Sequence, residues 1–139
     1  MRLREATIED EKIMETFSVS KGNFKKTPET TSYIYMLEHD DKVLAMGGIT
    51  LITPTTAWCW VDLSVDAFAH IVTVYRTIKE WLDTLVVEKK IKRLQAYVLS
   101  DIPEAVNLVE HLGFNYEYTM PCFAGETGNT SAYLYSKIF

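Results

Sequence analysis

Asp62 stands two residues after Trp60 and four after Trp58, so at the two-residue period of a strand all three side chains share one face. Cys59, Val61 and Leu63 fall on the other. A carboxylate held against indoles is partly desolvated, which raises its affinity for a proton and suits it to act as a base directly or through water. Asp62 is therefore the candidate general base, set against the plainer reading of an exposed or capping acid. Glu38 and His39, beside a turn, are a weaker pair of the same kind.

Immediately downstream the chain passes from strand to helix through Leu63, Ser64, Val65, Asp66, Ala67, Phe68, Ala69 and His70. The first amides of a helix have no partner inside it and can point at an anion. Ala67 and Ala69 are small enough for close approach, and His70 can add a donor. Asp66 works against an anion, repelling each phosphate charge by about 1 kcal/mol even at the dielectric of water. Asp66 or Ser64 also has the simpler use of capping those amides itself.

These groups sit in a chain of 139 residues, 47% hydrophobic, with a formal net charge of -5. That length supports one domain, 1–139, with a sizeable core. The acidic balance argues against a phosphate-tracking, nucleic-acid-binding surface; Lys21, Lys25, Lys26, Lys89, Lys90, Lys92 and Arg93 read mainly as solvated and turn charges. Cys59 and Cys122, far apart, give neither metal spacing nor a disulfide framework, which suits a reducing, cytoplasmic setting. No apolar run approaches membrane-spanning length.

The elements that must hold the chemistry follow from periodicity. A strand at Leu3 precedes a helix on Ile8, Ile13, Met14 and Phe17, then a polar connecting segment runs from Ser18 to Thr31. Two β-rich runs flank the hairpin signal HDDK, and TTAWCWVDLSV makes a third strand of an antiparallel meander. Gly47 and Gly48 indicate a bulge or a close approach by another backbone or a ligand. A long helix from about Asp66 to Glu88 carries Phe68, Ile71, Val72, Tyr75, Ile78, Leu82 and Leu85 on one stripe. A strand over Leu94 to Leu99 leads to a short helix with Asp101 as cap, Glu104 reaching back and Gly113 as stop. Strands near Asn115 to Met120 and Ala132 to Ile138 close the chain.

In this order of elements, in the segment EAVNLVEHLGF at 104–114 and in the opening LREATIED, the chain resembles the GCN5-related N-acetyltransferases over nearly its whole length. The resemblance implies an α/β fold whose mixed sheet has helices on both faces and splays open between the meander's last strand and the strand 94–99. It implies acetyl-CoA in that opening, with the backbone of Leu63 and Val65 along the pantetheine arm and Ala67, Ala69 and His70 near the pyrophosphate. Asp62 would take the proton of an acceptor amine, carried by a small molecule or a peptide.

Two family features are missing. The usual glycine-rich turn with an Arg or Gln is absent between Leu63 and Ile71, and Val109 stands four residues before the glycine where a proton-donating Tyr is common. Tyr116 and Tyr118 are the nearest substitutes in sequence. A second expectation follows: a non-catalytic relative acting in assembly or interaction, since similar small acetyltransferase-like proteins without the glycine loop occur among tailed-phage gene products and share this element spacing. A third is a sensor that binds a small ligand without reacting. Tyr133, Tyr135 and Phe139 could present a surface to a protein partner or a second copy.

Overall fold

In a computed structural model, which describes residues 1–7, 9 and 32–139, Asp40 and Asp41 both take left-handed backbone, with φ 49° and 61°. Two such residues make the tight turn whose twist matches the flanking strands, here β2 (Ser32–His39) and β3 (Lys42–Thr53). A short turn, in which Thr53 Oγ1 accepts the Thr55 N–H at 3.2 Å, leads to β4 (Thr56–Leu63). The edge strand β1 (Arg2–Glu5) pairs on β2. The helix expected on Ile8, Ile13, Met14 and Phe17, and the segment from Ser18 to Thr31 with Lys21, Lys25 and Lys26, lie outside the described residues.

Beyond β4 a single 3-10 segment, Val65–His70, runs into α1 (Ile71–Glu88), which crosses over to β5 (Arg93–Leu99). Only a crossover of this kind lets β5 run parallel to β4. Then come α2 (Pro103–His111), β6 (Asn115–Ala124) and β7 (Thr130–Ile138). The seven strands form one mixed sheet in the order β1-β2-β3-β4-β5-β7-β6. Both described helices pack on one face, with Tyr75 of α1 against His111 of α2 at a ring separation of 5.3 Å.

Three local expectations are corrected, and at Gly47 and Gly48 one of two alternatives holds. The buried side of α1 is Val74, Ile78, Trp81, Leu82, Leu85 and Val86, while Phe68 and Val72 are exposed. The first turn winds with three residues instead of 3.6, which shifts the phase of the stripe. The cap of α2 is the main chain of Ile102, whose carbonyl accepts N–H groups from Ala105 and Val106, and Pro103 takes the first helical position. Proline there brings a preset φ and no amide in need of a partner, so Asp101 is not used. Gly47 and Gly48 pair in unbroken register with Tyr35 and Ile34 on one side and Val61 and Trp60 on the other. They mark close approach and no bulge: a Cβ on Gly48 would lie 2.7 Å from the Tyr33 carbonyl oxygen and 3.2 Å from Trp60 Nε1. Finally, Tyr135 is buried, its hydroxyl donating to Glu110 at 3.3 Å, so it belongs to the core and not to a partner surface.

The stop at Gly113 is as expected. With φ 86°, it lets the Phe114 N–H reach Val109 O and its own N–H reach Glu110 O, the paired closure that needs a left-handed residue.

Candidate active site

The parallel pairing of β4 and β5 covers only Thr56↔Arg93, Ala57↔Leu94 and Trp58↔Gln95. Past that point the two strands part. On its other edge β4 stays bonded to β3, and beyond its end the Ser64 N–H donates to Leu44 O at 2.9 Å. In an antiparallel ladder, main-chain groups alternate between the two edges, so those of Val61 and Leu63 point away from β3, towards the gap that β5 leaves.

The gap is an open cleft with mainly apolar walls. Cys59 to Leu63 form one wall, Ala96 to Val98 the other, and α2 closes the back with Leu108 and Val109. Asp62 borders the cleft from the distal end of β4. Glu104, exposed on the first turn of α2, borders it too; instead of reaching back to cap its helix, its charge acts on Tyr75, whose hydroxyl is pushed up first by burial and then by Glu104.

Where the strands part, the Trp58 ring stacks on Tyr97 at 4.1 Å, and Phe123 of β6 leans on the Tyr97 ring at 5.0 Å. Tyr97 lines the cleft, and burial pushes its hydroxyl up from the ordinary phenol value. Cys59, on the helix-facing side of β4, is desolvated until its thiol is pushed up to about 12, so it is an inert packing residue.

The entrance to α1 is built differently from both expected caps. Ser64 is fully buried and its Oγ donates to Val43 O at 2.6 Å, which ties the junction to β3. Asp66 pairs with Lys42 Nζ at 3.8 Å. Lys42 belongs to β3, on the edge of β4 away from β5. Val65, Phe68, Ala69 and His70 are exposed around the entrance, and the His70 ring meets His39 edge-on at 5.0 Å. Ala67 has no surface and its N–H is taken by Ser64 O, so neither its side chain nor its amide is available to a ligand.

Other candidates are not brought to the cleft. Glu38 is held by Arg4 at 3.2 Å and Arg2 at 3.3 Å, and His39 Nε2 lies 3.4 Å from Asp40. Tyr116 and Tyr118 lie on β6, beyond β7, and are 55% and 59% exposed; they do not line the cleft and cannot replace a tyrosine at Val109. Among the described residues, no cluster of three His, Cys, Asp or Glu could hold a metal, and no helix is long and apolar enough to cross a membrane. Lys42 and Tyr97 were the residues that spacing along the chain missed. Lys42 could have been found by extending the β3–β4 ladder past Leu63 to Asp66.

The same fold occurs in solved N-acetyltransferases. A spermidine N-acetyltransferase from Vibrio cholerae matches with a TM-score of 0.79 at 14% identity, over 99% of this chain and 95% of that one. The ribosomal-protein-S18-alanine N-acetyltransferase from Escherichia coli matches with a TM-score of 0.73 at 15% identity, over 99% and 92%. The microcin C7 self-immunity acetyltransferase, solved in complex with acetyl-CoA and AMP, matches with a TM-score of 0.65 at 18% identity, over 78% of this chain and 61% of that one. No family model and no curated protein matches the sequence. The chain has the GCN5-related N-acetyltransferase fold in a divergent sequence.

Proposed function

We propose that this protein binds acetyl-CoA in the cleft between β4 and β5 and transfers the acetyl group to an amine. The observation that carries the reading is the early end of β4–β5 pairing, which leaves main-chain donors and acceptors of Val61 and Leu63 along an apolar slot. An extended, amide-bearing pantetheine arm fits such an edge as an added strand does. Leu63 and Val65 would hold it by their main chains, while Ala69 and His70 border the diphosphate end. Ala67 drops out of that set. Asp66, turned towards Lys42, leaves the entrance less hostile to an anion than its bare charge implies.

When bound, the cofactor supplies an acetyl group on a sulfur leaving group. Asp62 accepts the proton of the acceptor amine so that the nitrogen lone pair is available for attack. The apolar walls of the cleft keep bulk water from competing. A small-molecule or peptide amine suits this site, and free Cys59 and Cys122 suit a cytoplasmic protein.

A second reading has its own support in Val109 and in the glycine-free entrance: a cofactor-free relative of the fold that serves in assembly or interaction, as in a phage particle. Thermal unfolding separates the two. Acetyl-CoA at a hundredfold its dissociation constant stabilises the folded state by about 2.7 kcal/mol; unfolding curves that do not move at millimolar acetyl-CoA select the second reading.

A further inference from the structure

We infer that His39 and His70 form an acid-sensitive latch: their ring contact holds the entrance of α1 against the β2–β3 turn, and charging both rings releases it. The latch works whatever the cleft binds.

His70 stands where two windings meet. It ends the 3-10 segment and leads into α1 with φ -128° and ψ 25°, outside the helical region, and its side chain makes no capping bond. A stretch of tighter winding joined to a helix marks a place where the chain flexes. The near end of that segment is fastened to the hairpin by Ser64, whose N–H donates to Leu44 O and whose Oγ donates to Val43 O, and by Asp66 against Lys42. At the far end the contact with the hairpin is the His70 ring, edge-on to His39 at 5.0 Å with 73° between the planes. His39 closes β2 opposite Lys42, and its Nε2 lies 3.4 Å from Asp40.

Two neutral imidazoles meet favourably edge to face, as other aromatic rings do. One proton preserves the contact, because an imidazolium at His39 has Asp40 to pair with and a neutral ring to lie against. A second proton sets two like charges 5.0 Å apart, which shifts the balance towards separation about fourfold even at the dielectric of water. Histidine is the side chain that changes charge between pH 5 and 8, whereas carboxylates and ammonium groups keep theirs. Among the described residues, the other charged groups around the pair are Asp40 and Asp41 of the turn, Lys42 with Asp66, and Glu38, held by Arg2 and Arg4. What acid alters here is therefore the force between the two rings.

Hydrogen exchange tests the latch, read as amide protection over residues 65–74 at about pH 7.5 and about pH 5.5, with β5 as the internal reference. Protection of the α1 entrance in the wild type is expected to fall about fourfold or more at the lower pH, while β5 holds. His39→Phe and His70→Phe each keep a ring at the contact and leave one charge, which the phenyl face attracts. In both variants protection is expected to hold or rise on acidification. Equal wild-type protection at the two pH values, a fall shared equally by β5, or a fall that persists in either phenylalanine variant overturns the latch.

Discussion

Trp58 and Tyr97 stack with ring centroids 4.1 Å apart where β4 and β5 separate. The pair joins strands that share only three residue pairs. Truncating it has a structural cost apart from any catalytic one. Trp58→Leu is expected to lower stability by about 1–3 kcal/mol, from lost burial and lost ring contact. The shift in urea midpoint measures it, with Trp58→Phe falling between the variant and the wild type.

Asp62→Asn keeps size and removes the basic oxygen. Acetyl transfer is expected to fall about a hundredfold while acetyl-CoA affinity stays within twofold, as general-base loss requires. Steady-state rates beside calorimetry separate the two quantities. Equal rates in wild type and Asp62→Asn would take Asp62 out of the chemistry.

Gly48 lies beneath the Trp60 indole. A methyl there would come within 2.7 Å of the Tyr33 carbonyl oxygen, a backbone atom that cannot step aside. Gly48→Ala is expected to destabilise by about 1–3 kcal/mol through overpacking and strand displacement. Chemical denaturation reads the loss.

Arg93 clasps Glu117 with two guanidinium nitrogens while the Ser136 hydroxyl donates to the same carboxylate. These bonds hold the Glu117 carboxyl down from 4.5 to about 2, the Arg93 hydrogen bonds contributing most. A depressed carboxyl stabilises the fold above its unfolded pKa, and the gain is lost as the pH falls through the folded value. The window is therefore pH 4.5 down to about 2. Solvent screening of a pair this open limits the effect to about 1 kcal/mol or less. Glu117→Gln should flatten stability across that window and leave it parallel to wild type above pH 5.

Cys122 is exposed and Cys59 buried. With its thiol pushed up to about 12, Cys59 presents almost no thiolate at pH 8. A disulfide reagent at that pH should modify one thiol per chain in the native state and two in denaturant. Cys122→Ser should abolish the native reaction.

The element order was legible because each piece announces itself locally: HDDK as a turn, Gly113 as a helix stop, alternation through Trp58, Trp60 and Asp62. What was hidden depends on partners far along the chain. Ser64 looks like a cap, yet its hydroxyl has a better acceptor in Val43 on the neighbouring strand. Asp66 looks like a charge set against an anion, yet it has a counter-charge in Lys42 on the neighbouring strand. Asp101 fits a capping pattern that the proline two residues on makes unnecessary. Tyr97 carries no local signal, since its place on the cleft wall depends on where two strands thirty-odd residues apart stop pairing.

The outer strand β6 is interrupted twice in its register with β7, carries Pro121, and holds Cys122 with φ at 55°. A stray segment settling alongside would find no continuous row of amides to copy, because proline offers none and the kinks turn their neighbours out of line. The opposite margin, β1, is four residues long. With its rims so broken, the sheet resists templated growth into fibrils even with the exposed rings of Tyr116 and Tyr118 near that border.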